Sequence, residues 1–134
     1  MSEPLIQIAA LMKRRLRGCY SWTRENFMPW LEWHAKRQHV IMIRNGGKVL
    51  GFILGRGITT PTDSRRRYAC NDESDLVHVE YCVATRPGVM PELFKGLWAR
   101  FPHATRVSFK RHKSGEKIKT YDVARIIQLA ERMG

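Results

Sequence analysis

Apolar residues recur every three or four positions near both ends of the chain, the spacing of an amphipathic helix. This pattern predicts a first helix from Glu3 to Arg17, with Ser2 at its N-cap. A second helix is predicted from Trp22 to Arg37, where Pro29 indicates a kink or a new start. Its expected apolar face consists of Phe27, Trp30, Leu31 and His34.

The middle of the chain carries the pattern of β-strands. Residues 39–44 and 48–55 predict a hairpin, because Asn45-Gly46 favours the positive φ angles of a tight turn, which Gly47 extends. Both strands are apolar on both faces, which is typical of the centre of a covered sheet. A polar loop with little regular structure is expected at 57–74, and a loop of that length is more often functional than inert.

The third predicted strand, residues 75–84, places Val77, Val79, Tyr81 and Val83 on one face and His78, Glu80 and Cys82 on the other. After the break at Arg86-Pro87-Gly88, a helix is predicted to open at Pro91 and to end near Phe101. Strands follow at 105–111 and 117–121, joined by a turn at 113–116, and Asp122 caps a final helix. The order α-α-β-β-β-α-β-β-α predicts a single α+β domain spanning residues 1–134.

Charge is the strongest compositional signal. The chain of 134 residues holds 24 Lys and Arg against 12 Asp and Glu, a formal net charge of +12. Such an excess attracts anions, so the expected partner is an anion, first of all nucleic acid, then an acidic protein or a phosphorylated small molecule. The alternative is a solvated basic surface that only aids solubility.

Other classes of protein are excluded or disfavoured by what the sequence lacks. No apolar run approaches the length of a membrane span, and no basic-then-apolar signal pattern opens the chain, so a cytoplasmic protein is expected. The three cysteines, Cys19, Cys70 and Cys82, are predicted to be free thiols in a reducing compartment. The cysteine and histidine spacings fit no zinc site, so no metal is expected.

The segment Val79-Glu80-Tyr81-Cys82-Val83-Ala84-Thr85-Arg86-Pro87-Gly88 and the helix after it resemble the GNAT superfamily of acetyltransferases. The resemblance covers about Val40 to Tyr121 and implies a mixed sheet of about five strands with helices on both faces. It also implies acyl transfer from acetyl-CoA or another acyl-CoA to an amine. The shortened layout is similar as well to the toxin-activating lysine acyltransferases, which take the acyl group from an acyl carrier protein.

The resemblance implies a cofactor site where this strand opens into the helix, because free backbone amides and a helix N-terminus attract phosphates. The expected cofactor-binding residues are Cys82, Val83, Arg86, Gly88, Val89 and Met90.

Three side chains are candidates for the chemistry. Glu80 would be a general base whose pKa burial raises toward neutrality, and the alternative is a structural pairing with one of the many cations. His78 shares its predicted face and would assist. Tyr121 would protonate a leaving thiolate, as a C-terminal Tyr does in the superfamily, or it packs at a strand end with its hydroxyl in solvent.

Basic residues on the last two strands and in the long loop give a second hypothesis. They would form a positive ribbon that follows phosphates. The protein would then be a non-catalytic basic domain that binds nucleic acid or a larger assembly such as a virion. Small basic domains of this kind are common among bacteriophage proteins. The expected anion-binding residues are Arg65, Arg66, Arg67, Arg106, Lys110, Arg111, Lys113, Lys117 and Lys119.

Overall fold

The computed structural model of the protein describes residues 2–15, 24–111 and 117–133. Helices and strands follow one another in the predicted order, α-α-β-β-β-α-β-β-α. They are α1 (Glu3–Arg15), α2 (Arg24–Lys36), β1 (Val40–Asn45), β2 (Lys48–Gly57), β3 (Leu76–Ala84), α3 (Val89–Arg100), β4 (Arg106–Arg111), β5 (Lys117–Asp122) and α4 (Val123–Met133). The predicted ends of the first helix and start of the second, and the turn at 113–116, lie outside the described residues.

The five strands form one mixed sheet in the order β1-β2-β3-β4-β5. Every neighbouring pair is antiparallel except β3 and β4, which are parallel. A parallel pair needs a crossover connection, and α3 supplies it. The predicted hairpin is confirmed, with Gly46 and Gly47 together at its centre at φ angles of 58° and 83°.

Helices cover both faces of the sheet and divide the core in two. Leu5 and Ile8 of α1 and Trp30 of α2 pack with Phe52 and Val83 on one face. The opposite face packs against α3 and α4, with Leu93, Leu97, Ile53, Val79 and Val107 in one cluster. The fold is therefore the predicted α+β arrangement, and its two faces are called the α1/α2 face and the α3/α4 face below.

A β-bulge in β3 changes which residues share a face. Leu54 of β2 pairs with Tyr81 and the next residue, Gly55, pairs with Val79, so Glu80 is the extra residue between them. Because of the bulge, Tyr81 packs on the α1/α2 face while Val79 and Cys82 pack on the α3/α4 face. Glu80 shares the face of His78 as predicted, and the predicted alternation was wrong from Tyr81 onward.

Some predicted boundaries and local details also differ. Helix α2 continues through Pro29 without a new start, and α3 begins at Val89, two residues before Pro91. The connection between β2 and β3 contains a short 3₁₀ helix, Pro61–Arg65. Within the described ranges, none of the helices is long and apolar enough to cross a membrane.

Candidate active site

The pairing of β3 with β4 stops before either strand ends, and the place beside the unpaired end of β3 is called the cleft below, with its closed end at Glu80 and its mouth at the start of α3. The parallel ladder runs from Leu76–Arg106 to Val79–Phe109, yet β3 continues to Ala84 and β4 to Arg111. The bulge at Glu80 lies immediately after the last pair, and bulges bend a strand away from its neighbour. The end of β3 therefore offers backbone N–H and C=O groups to a ligand instead of to β4.

Glu80 lies at the closed end of this cleft. Its Oε2 is 3.0 Å from His78 Nε2 and 3.5 Å from Arg56 Nη2, and its side chain is 19% exposed. On the other side of its ring, His78 Nδ1 is 2.8 Å from the Ser108 hydroxyl. One carboxylate is thus held by groups from β2 and β3, with β4 supporting the histidine.

The pairing keeps Glu80 ionised. Burial raises the pKa of its carboxyl, but the hydrogen bond and charge of His78 and the charge of Arg56 outweigh burial and lower the pKa below its usual range. The expected rise toward neutrality was wrong, because the sequence pattern did not show these partners. Since a carboxylate only accepts, His78 Nε2 donates to it, and Nδ1 lies beside the Ser108 hydroxyl.

Arg56 was not predicted as a residue of the site, yet it contacts Glu80 and is completely buried. Besides Glu80, its guanidinium donates to the backbone carbonyls of Asp63, Ser64 and Ala69. All three carbonyls belong to the connecting loop, defined here as residues 58–75. A buried guanidinium requires such acceptors, so the loop folds around Arg56 and covers the α1/α2 face near Glu80. The signal in the sequence was a cation at the end of an otherwise apolar strand.

Two buried histidines hold the same loop to α2. His34 Nδ1 lies 2.8 Å from His39 Nδ1, and His34 Nε2 lies 2.9 Å from the carbonyl oxygen of Arg67. His39 Nε2 in turn lies 3.3 Å from Asp72 Oδ1, and Asp72 accepts from Arg100 at 2.9 Å. Burial lowers the pKa of His34 to about 4, against the raising effect of the Arg67 hydrogen bond. Burial likewise lowers the pKa of His39 in spite of Asp72.

Tyr121 is not brought to the same place as Glu80. It pairs with Val107, which pairs with Val77, and its ring packs beside Phe109 on the α3/α4 face. His78 and Glu80 lie on the α1/α2 side, where His78 meets Ser108. Of the three candidate catalytic residues, the structure brings two together and places the third across the sheet.

No protein-family model matches the sequence, and no curated protein matches it. A solved structure described as GphF GNAT-like decarboxylase in complex with isobutyryl-CoA matches with a TM-score of 0.57 and 11% identity over 78% of this chain. The chain has a GNAT-like fold. It spans 60% of the length of that structure.

The loop predicted to bind a cofactor lies at the mouth of the cleft in this GNAT-like fold. Gly88 precedes α3 with φ of 86°, a left-handed conformation that favours glycine, and Arg86 is exposed beside it. Val89 is buried on the α3/α4 face, and the Cys82 thiol donates to Met90 Sδ at 3.1 Å on that face. Val83, in contrast, points to the α1/α2 face. The predicted set therefore lines two sides of the end of β3.

Two side chains of the predicted positive ribbon on β4 and β5 are described, Arg106 and Lys119, and they lie on opposite faces of the sheet. Arg106 pairs with Asp75 at 3.2 Å, and Ser108 between the basic positions is buried against His78. Exposed Lys119 pairs with Phe109, which packs on the opposite face from Ser108. The side chains of Lys110, Arg111 and Lys117 and the whole of Lys113 lie outside the described residues.

The three predicted anion-binding arginines of the connecting loop all lie within the described residues. Arg65, Arg66 and Arg67 are all exposed on the connecting loop, while the Arg67 carbonyl holds that loop to α2. Among the described residues, no three His, Cys, Asp or Glu side chains come together as a metal-binding group.

Proposed function

We propose that the protein binds an acyl thioester in the cleft between β3 and β4 and transfers the acyl group to an amine. The observation that carries the proposal is the end of the β3–β4 ladder at Val79–Phe109, directly before the bulge at Glu80. Unpaired strand edges bind extended ligands through backbone hydrogen bonds, and the thioester arm of coenzyme A or of an acyl carrier carries amides suited to them.

The two ends of the cleft suit the two ends of such a ligand. At the mouth, the first turn of α3 after Gly88 offers helix N-terminal amides to phosphate, with Arg86 adjacent. Pro91 contributes no N–H to that turn. At the closed end stands the Glu80 carboxylate, where a thioester carbonyl would meet the amine. The GNAT-like structure that matches this fold is described as a complex with an acyl-CoA, which agrees with this assignment.

The proposed step uses Glu80 as the proton acceptor. The amine nitrogen attacks the thioester carbonyl, a C–N bond forms, the C–S bond breaks, and the amine proton passes to the carboxylate. Tyr121 lies on the other face of the sheet and is therefore not assigned as the acid. Water protonates the departing thiolate instead. His78 and Arg56 fix the position of Oε2 and keep the carboxylate charged before the amine arrives.

Binding and chemistry are tested separately. Acetyl-CoA and longer acyl-CoAs at about one hundred times their dissociation constant should add about 2.7 kcal/mol to the free energy of unfolding. Glu80→Gln should keep that stabilisation and lower acyl transfer to an amine by about 100-fold or more. Glu73→Gln, which removes an exposed carboxylate of the connecting loop, is the matched control and should leave the rate unchanged. An unchanged rate in Glu80→Gln would remove Glu80 from the mechanism.

A second candidate is non-catalytic binding of nucleic acid, and the exposure of Arg65, Arg66 and Arg67 on one loop favours it. Two results together would select this candidate. No acyl-CoA would stabilise the protein, and DNA or RNA binding would weaken steeply as the salt concentration rises. Replacement of the three arginines by glutamine should then reduce the salt dependence by about one phosphate contact for each arginine that touches the backbone.

A further inference from the structure

A basic cavity lies on the α1/α2 side of the end of β3. It has a volume of about 340 Å³, within the range of small-molecule sites. Its polar lining comes from three separate places: α1, the start of β2 and the end of β3. These residues are Gln7, Arg14, Arg15, Lys48, Thr85 and Arg86.

Four of these six side chains are cations, and the lining contains no acid. Among the described residues, none of the four has a carboxylate within ion-pair distance, whereas Arg56, Lys95, Arg100 and Arg106 each have one. Like charges around one cavity repel one another, and an anion between them would convert repulsion into attraction.

The helix dipole explains only part of this cluster. Arg14 and Arg15 lie in the last turn of α1, where cations are favourable without any ligand. Lys48 opens β2 and Arg86 follows β3, so neither belongs to that helix end. Their convergence on the same cavity needs another cause.

The wall between these cations is fixed by internal hydrogen bonds. Gln7 accepts from the Val49 amide at 2.7 Å and donates to the Gly47 carbonyl at 2.9 Å, which ties α1 to the turn. The Thr85 hydroxyl donates to the Leu50 carbonyl at 2.6 Å. Since these neutral groups are already engaged within the protein, the cations are the groups left to meet a ligand.

We propose that this cavity binds the phosphate of a small phosphate-carrying ligand. Arginine forks match phosphate oxygens in pairs, and three of the four cations are arginines. The volume exceeds that of a single phosphate, so a diphosphate or a phosphate on an organic group fits best.

This site shares Arg86 with the mouth of the proposed cleft, but its other lining residues lie elsewhere. Leu11 and Val49, which line it, belong to the core under α1 and α2, while Val89 at the start of α3 belongs to the core on the opposite face. A phosphate at the N-terminus of α3 would therefore leave this cavity open. The proposal requires no acyl transfer and stands if Glu80 proves inert.

Pyrophosphate is the first probe, with binding to the full chain measured by calorimetry. Arg14→Gln and Lys48→Gln should each weaken pyrophosphate binding by about tenfold, because each removes a charge-assisted hydrogen bond. Lys13→Gln is the matched control, since it removes the same charge from the neighbouring residue of α1, which does not line the cavity. Urea unfolding of each variant confirms that it remains folded.

Coenzyme A and ADP then identify the source of the phosphate. Loss of coenzyme A affinity in Arg14→Gln and Lys48→Gln, with pyrophosphate as competitor, assigns the cavity to a phosphate of coenzyme A. Undiminished coenzyme A binding, with weaker ADP and pyrophosphate binding in the same variants, assigns it to a separate nucleotide-like ligand. Absence of pyrophosphate binding, or an equal loss in Lys13→Gln, overturns the proposal.

Discussion

Acid should release the connecting loop through His34, whose ring is completely buried. The Arg67 carbonyl and the Asp72 carboxylate only accept, so His34 Nε2 donates to the carbonyl and His39 Nε2 donates to the carboxylate. Protonation of His34 would place a positive charge on a completely buried ring whose Nδ1 lies 2.8 Å from His39 Nδ1. Because burial disfavours that charge, protonation would destabilise the contact that holds the loop to α2.

The magnitude follows from the lowered pKa. Burial takes the pKa of His34 from 6.5 in the unfolded chain to about 4 in the folded protein. Between these two values the unfolded chain binds more protons, so the free energy of unfolding falls as the pH falls through this window and is unaffected above it. At roughly 1.4 kcal/mol per pKa unit, the loss from His34 is about 2 kcal/mol by pH 5 and about 3 kcal/mol in full.

Urea unfolding between about pH 8 and about pH 5 measures this loss. The lower limit keeps the scan above the range in which Glu80 and Asp72, whose pKa values are lowered, would add their own losses. His34→Gln preserves a donor for the Arg67 carbonyl and should lose most of the slope that His34 contributes. His103→Gln, at an exposed histidine after α3, should keep the wild-type slope. Equal slopes in His34→Gln and wild type would refute the reasoning.

Two further predictions concern packing near the site. Gly57→Ala places a methyl group against the backbone oxygen of Asn71, whose amide bonds the Gly57 carbonyl at 2.7 Å, and should cost about 2–3 kcal/mol in urea unfolding. Gly96→Ala meets only one side chain and should cost less; the reverse order would contradict the backbone clash. Burial raises the pKa of the Cys82 thiol to about 12, so peptide mapping after alkylation near neutral pH should show Cys82 reacting at least about 100-fold more slowly than exposed Cys70. Similar rates in the folded protein would show that Cys82 is not buried as described.

Local signals in the sequence were sufficient for the order of elements. The Asn45-Gly46-Gly47 turn specifies its hairpin regardless of the rest of the chain, since two adjacent glycines supply both positive φ angles. The apolar stripe of Leu93, Phe94 and Leu97 indicates the helix that crosses from β3 to β4, and all three residues are buried. These features depend on neighbours within a few residues, which a periodic pattern captures.

The chemistry of the site depends on pairing across the chain, which no local pattern contains. The bulge at Glu80 is a property of the β2–β3 register and leaves the alternation of residue types unchanged. A local pattern also could not show the partners of Glu80, because Arg56 lies 24 positions away in sequence. One signal was nevertheless present: a cation and an acid each stood within an apolar strand, and buried charges must be paired.

The arrangement around Glu80 also restricts which ligands the cleft can accept. Arg56 from β2 and His78 from β3 hold its carboxylate, and Arg56 simultaneously holds the connecting loop, so the charge cannot move away without unfolding that loop. Arg56 neutralises the charge of Glu80, so the closed end offers hydrogen-bond acceptors with no strong net charge, while the exposed Arg86 and the start of α3 attract an anion at the mouth. The proposed cleft would therefore suit a ligand that is anionic at its outer end and that presents a hydrogen-bond donor at its inner end. An acyl thioester of coenzyme A meeting an amine has this polarity, whereas a continuous polyanion threaded along the cleft would bring phosphate against Glu80.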